Sequence, residues 1–231
     1  MSARLFRILA ALCGILGVAA LGYYYSVPFP LPPANATLAQ VTEFGARYHD
    51  AILLDTWLQA IGTLLSVVFF LALVHMARAA TRFAGWMTML ASAIILTVAL
   101  AEGTFVIDAV QAGVNGHPEA ALTSFDLTFV FAHIFLMVPA PLLFLSLGAV
   151  LLGSRVLPRM FGYLALALGV AFGIVGFVGL LSSAAIIVGI VLQIGQEVWV
   201  LAAAIILLVG AIKASDNRSV HEQTPLGAQG Q

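Results

Sequence analysis

Six long apolar runs, each nearly free of charge, constrain this chain more than any other feature. They cover about residues 5–25, 52–76, 83–110, 125–152, 160–181 and 185–212. A helix crosses the hydrocarbon core of a bilayer in roughly 20 apolar residues, so every run is long enough to span. Strands do not fit, because no run alternates polar and apolar residues as a membrane barrel must. Composition agrees, with 62% hydrophobic and only 8% charged residues, against about 25% charged in a soluble domain. Six spans consume about 120 residues, which leaves too little of the 231 for a soluble catalytic, nucleotide-binding or nucleic-acid-reading domain. The formal net charge of −1 draws no polyanion. The expected fold is therefore all-α: a polytopic membrane bundle of six transmembrane helices in one domain over residues 1–213, with a polar, disordered tail over 214–231.

Orientation follows from the cations. Placing the N-terminus in the cytoplasm puts Arg4, Arg7, Arg78, Arg82, Arg155, Arg159, Lys213 and Arg218 inside and leaves Arg47 outside. Both termini are then cytoplasmic, and the expected location is the inner (plasma) membrane. Tyr23, Tyr24, Tyr25, Tyr48 and Trp57 fall at the outer interface, and Trp86 and Tyr163 at the inner one. Residues 27–50 contain Pro28, Pro30, Pro32 and Pro33 and are expected to be extended. A competing reading takes Arg4, Arg7 and the first run as a signal peptide cleaved near Ala34-Asn35-Ala36, although that site lies four prolines beyond the run. Asn35-Ala36-Thr37 also fits a glycosylation sequon. Cys13 is alone, so there is no disulfide framework and no zinc spacing.

Two cytoplasmic turns share a pattern at an offset of 77: Arg78-x-x-x-Arg82-x-x-Gly85-Trp86 and Arg155-x-x-x-Arg159-x-x-Gly162-Tyr163. A parallel internal repeat and a shared turn chemistry both account for it. The second turn runs Ser154-Arg155-Val156-Leu157-Pro158-Arg159-Met160-Phe161-Gly162-Tyr163, after a span with Pro139 and Pro141 and before a glycine-rich one. In this succession the chain resembles the uncharacterised bacterial multi-pass membrane family catalogued as domain of unknown function 4386, which has a Leu-Pro-Arg-x-x-Gly turn between its fourth and fifth spans. The resemblance is best over residues 125–179. It implies six or seven inner-membrane helices and supplies no activity.

Ionisable groups inside spans are costly, about 2.5–3.5 kcal/mol for Asp or a basic residue at mid-helix, and are functional candidates by default. Counting 1.5 Å per residue from the outer end of each run places Gln59, Glu102, His133 and Gln193 at roughly 10–13 Å depth, and Glu197 at about 18 Å. Gln193, Gln196 and Glu197 stand at i, i+3 and i+4 on one face. Asp55 precedes Gln59 by one turn, and Asp126 precedes His133 by two. Asp108 is six residues from Glu102, about 240° around the helix, so the two do not face one cavity squarely. The inner half offers only His75, near the interface. Gln and His in spans often act as interhelical hydrogen-bond glue. A carboxyl gains nothing structurally over Gln and must take up a proton or find a partner. Pro139 and Pro141 withhold hydrogen bonds from the carbonyls of Phe135 and Met137, which marks either a kink or a binding site. Gly162, Gly169, Gly173 and Gly176 form a stripe read as helix packing.

The leading expectation is an outward-opening polar cavity that binds or transports a small amphipathic or cationic solute with proton coupling. Its binding groups are drawn from Glu102, His133, Glu197, Gln59, Gln193, Gln196, Asp55 and Asp126. One alternative is an intramembrane hydrolase of a lipid-like substrate with His133, Glu102 and Glu197 on a metal ion; no His-Glu-x-x-His or nucleophile motif accompanies it. A second is an accessory subunit whose polar groups are all glue. Whether the chain is an enzyme stays open. No resident cofactor and no nucleic-acid partner is expected; the partners are the lipid bilayer, a small ligand and, given only six helices, a second copy of the chain.

Overall fold

A computed structural model describes residues 2–26, 36–179 and 185–222 of the protein. It contains α1 (Ala3–Ser26), α2 (Leu38–Met76), α3 (Phe83–Val114), α4 (Pro118–Met137), α5 (Pro139–Leu152), α6 (Arg159–Gly179) and α7 (Ala185–Glu222), and no strand among the described residues. Five of these, α1, α2, α3, α6 and α7, are long and apolar enough to cross a membrane. The four prolines at 28–33 and Asn35 lie outside the described residues.

The elements differ from the six runs in three places, each for a local reason. Residues 38–50 are helical instead of extended, because the prolines end at Pro33 and Thr37 starts a new helix. The Thr37 amide donates to Gln40 Oε1 at 2.9 Å, the reach-back half of a capping box. This first stretch of α2 meets the rest at Tyr48, whose φ of −116° and ψ of 15° break the helical path. The fourth run is two helices, α4 and α5, separated at Val138 (φ −126°, ψ −61°). Pro139 becomes the first residue of α5, where its missing N–H costs nothing. The last helix continues past Lys213 to Glu222, so residues 214–222, expected to be disordered, are helical, while 223–231 lie outside the described residues. Nothing in 214–222 is Gly or Pro, the residues that would stop a helix already under way.

The helices close into a ring. α1 packs on α2, α2 on α3, α3 on α4 and α5, α5 on α6, α6 on α7, and α7 returns to α1. Glycines set the closest approaches: a Cβ on Gly17 would lie 3.0 Å from the Gly62 carbonyl oxygen, and one on Gly62 would lie 3.1 Å from that of Gly17. On α6, Gly162 faces Leu152 and Gly169 faces Leu145, so part of the predicted stripe is the α5 contact. Two six-residue turns, 77–82 and 153–158, join α2 to α3 and α5 to α6. Between these turns and mid-bundle the ring is filled by a dry core in which Phe144 stacks on Phe172 (5.8 Å) and meets Trp199 (5.8 Å) and Phe70 (6.2 Å) edge-on. Trp199 Nε1 donates to the Phe161 carbonyl at 3.1 Å, tying α7 to α6. Thr88 donates to Ser146 at 2.9 Å, tying α3 to α5.

Outside the ring the long helices present apolar side chains, among them Leu16, Leu64, Leu90, Ile174, Val191 and Val198. A water-soluble surface does not carry so continuous an apolar belt, and hydrocarbon accepts it without cost. Phe83, Trp86, Met160 and Tyr163 crown its turn end, while Tyr23 and Trp57 lie toward the other.

Candidate functional site

The half of the ring away from the two turns is not filled. It encloses a cavity of about 530 Å³ bounded chiefly by α2, α3, α4 and α7. That volume lies in the range of sites that take small organic molecules. Among the described residues, the polar side chains on its wall are Asp55, Gln59, Glu102, Gln193, Gln196 and Glu197, joined by the hydroxyls of Thr56, Thr63, Ser66 and Thr128. On α2 the helical period accounts for the grouping: 55, 56, 59, 63 and 66 form one stripe at three- and four-residue spacing. Gln193, Gln196 and Glu197 do the same on α7. Phe70, Ile95 and Phe135 form the apolar floor toward the dry core.

Hydrogen bonds tie several of the cavity's polar groups to their neighbours. Gln59 Nε2 donates to Glu102 Oε2 at 3.3 Å, joining α2 to α3. Gln196 Nε2 donates to Glu197 Oε1 at 3.1 Å. Thr56 and Thr128 give their hydroxyl protons to carbonyls one turn back on their own helices, Ile52 at 2.8 Å and Ser124 at 3.1 Å. Asp55 Oδ1, Ser66 Oγ, Gln196 Oε1 and Glu197 Oε2 are buried with no hydrogen-bond partner among the described residues. Glu197 and Asp55 are themselves only 7% and 8% exposed. A buried acceptor left without a donor is expensive, so four at one cavity mark a place prepared for something else.

Two candidates stand apart. Asp126 is exposed and does not line the cavity. The inward stripe of α4 is Phe125, Thr128, Phe129, Ala132 and Phe135, and a one-residue step turns Asp126 about 100° away from Phe125. His133 lies on α4, but its side chain is outside the described residues. Asp108 is likewise off the cavity and accepts a hydrogen bond from Ser124 Oγ at 2.5 Å, an α3–α4 tie. Sequence reasoning did not select Thr56, Thr63, Ser66 and Thr128, since hydroxyls occur throughout spans. Their spacing from Asp55 and Gln59 was the available signal for the three on α2.

Among the described residues no three His, Cys, Asp or Glu side chains converge to hold a metal ion. The metal trio considered above, Glu102, His133 and Glu197, includes one member whose side chain is not described.

Length, apolarity and the lipid-facing belt define a multi-pass helical integral membrane protein, and one half of its bundle holds a mostly apolar cavity that carries these polar groups. No protein-family model, curated protein or solved structure matches the chain.

Proposed function

We propose that the protein crosses the inner membrane six times, with α4 and α5 as one broken crossing and both termini cytoplasmic, and that its cavity opens outward to bind or transport a small solute with proton coupling. The broken crossing is supported by length: α5 has 14 residues, about 21 Å of helix, too short alone for a core of about 30 Å. Orientation is supported by Arg78, Arg82, Arg155 and Arg159, which cluster at or beside the two short turns. The Leu157-Pro158-Arg159 turn keeps the resemblance to the uncharacterised bacterial family as a proposal of kinship that adds no activity.

One observation carries the functional reading. Polar groups separated by up to 142 positions in sequence, from Asp55 to Glu197, line a single cavity, while the turn-side half of the bundle is packed with apolar side chains. Polar glue between helices would be expected in pairs at contacts, with its hydrogen bonds made; here buried acceptors face a space. A chamber closed toward one face and polar in the other suits capture from the outer side. Its carboxyls, Asp55, Glu102 and Glu197, are the groups able to exchange a proton during passage.

Access is the test. In a Cys13→Ser background, Thr63→Cys places a thiol on the cavity wall and Arg155→Cys places one at an exposed turn. A membrane-impermeant thiol reagent is expected to label the first in right-side-out vesicles and the second only in inside-out vesicles. Labelling of both from the same side overturns the orientation, and a Thr63→Cys protein unreactive from the outer side overturns the outward cavity.

A further inference from the structure

Resting on the cavity reading above, we infer that the solute is an organic ammonium ion: a protonated amine whose N–H groups meet Gln196 Oε1 and Glu197 Oε2 and whose apolar, aromatic body fills the remainder of the chamber.

Counting donors and acceptors is the first support. Asp55, Glu102 and Glu197 bring six carboxyl oxygens to the wall. Gln59 donates one amide proton to Glu102 and Gln196 one to Glu197. Thr56 and Thr128 have spent their protons on their own helices. Asp55 Oδ1, Glu197 Oε2 and Gln196 Oε1 are acceptors without donors, on side chains of which two are more than nine-tenths buried. Carboxylate and carboxamide oxygens without donors ask for a ligand that donates. An ammonium head gives up to three N–H groups in a compact volume, each a charge-assisted bond when it meets a carboxylate.

Charge is the second support. Among the described residues lining the cavity there is no lysine, arginine or histidine. Carboxylates in a low-dielectric setting without a counter-charge are costly, and an incoming cation offsets that cost, whereas an anion adds to it. The third support separates an organic cation from a bare one. A metal ion takes several hard ligands, and no three acidic or imidazole groups converge among the described residues. Most of the wall is apolar instead, and Phe44, Phe70, Phe125 and Phe135 are part of it. Phenyl faces attract cations and pack against flat apolar bodies.

The probes are 4-phenylbutylammonium, the neutral 4-phenylbutanol and the anionic 5-phenylpentanoate, which share a body and differ at the head. Binding of each radiolabelled probe to the purified full-length protein in detergent is measured at equilibrium. The ammonium is expected to bind saturably and at least tenfold more tightly than the alcohol, with the carboxylate weakest. Glu197→Gln is expected to weaken the ammonium at least tenfold and to leave the alcohol within threefold. The comparison of probes on the unaltered protein needs no variant, so it decides even if a variant fails to fold. Equal binding of alcohol and ammonium, or tighter binding of the carboxylate, overturns the ammonium inference while outer-side labelling of Thr63→Cys leaves the cavity reading standing. Absence of saturable binding by all three also overturns it, and an unlabelled Thr63→Cys then removes both.

Discussion

Adding one methyl group to a glycine should have opposite effects at two sites of this protein, and the structure sets the sign. Gly85 lies in the first turn of α3, folded back against the turn that follows α2. A Cβ built there falls 1.9 Å from the carbonyl oxygen of Ala79 and 2.7 Å from its carbonyl carbon. Both are backbone atoms, so no side chain can swing aside. The 2.9 Å bond from the Arg82 amide to that same oxygen is the contact that must give way. Overpacking costs about 1–3 kcal/mol and more where backbone must move, while Ala gains at most about 1 kcal/mol over Gly in helix propensity. Gly85→Ala is therefore expected to lose about 2 kcal/mol or more, more than tenfold in the folding equilibrium. Gly162 is the intermediate case: its Cβ would meet Leu152 Cγ at 2.7 Å, a movable side chain, and the Leu152 amide nitrogen at 3.1 Å. At Gly210 nothing lies within 4 Å, and Gly210→Ala should stabilise by up to about 1 kcal/mol. Unfolding of the three variants in mixed micelles against rising denaturing detergent gives the order Gly210→Ala above the unaltered protein, then Gly162→Ala, then Gly85→Ala. A Gly85→Ala protein as stable as Gly210→Ala would refute the turn geometry and the reasoning built on it.

Other consequences follow from the turns and the dry core. Arg78 occupies the left-handed region (φ 51°) just after α2, in a Schellman ending where the Ala79 amide bonds the Val74 carbonyl at 3.1 Å and the Arg78 amide bonds that of His75 at 3.0 Å. Left-handed geometry costs a side-chain-bearing residue about 1–2 kcal/mol, partly offset by the greater chain entropy of glycine, so Arg78→Gly should raise the free energy of the same micellar unfolding by about 0.5–1 kcal/mol; a fall would contradict that backbone. Trp199→Phe removes the bond to the Phe161 carbonyl and keeps most of the ring. A loss near 1 kcal/mol is expected, with an unchanged protein arguing that ring packing alone joins α6 to α7.

Much of the fold was legible because insertion into hydrocarbon depends on each run by itself. A stretch of apolar residues long enough to span does so whatever its neighbours are, and backbone hydrogen bonds inside it then require a helix. The candidate site was legible as a set of residues: a polar side chain in a span is conspicuous, counting along the helix put Gln59, Glu102, His133 and Gln193 in one layer with Glu197 deeper, and of these Gln59, Glu102, Gln193 and Glu197 line the cavity. Rotation was harder. Asp126 shares a helix with Phe125, Thr128 and Phe129, yet points elsewhere because its neighbours, not its own chemistry, fix which stripe of α4 turns inward.

By itself, then, the sequence determined the helical membrane class and which few polar side chains stand within the apolar runs. Only the tertiary structure decided the split of the fourth run at Val138, the helix over residues 38–50, and the close crossing of Gly17 on Gly62. It also decided that three carboxyls face one chamber whose described lining holds no cation. The physical reason is one of range. Hydrophobic length and cationic turns act segment by segment, whereas the facing of a helix and the pairing of a buried acceptor depend on contacts between residues far apart in the chain.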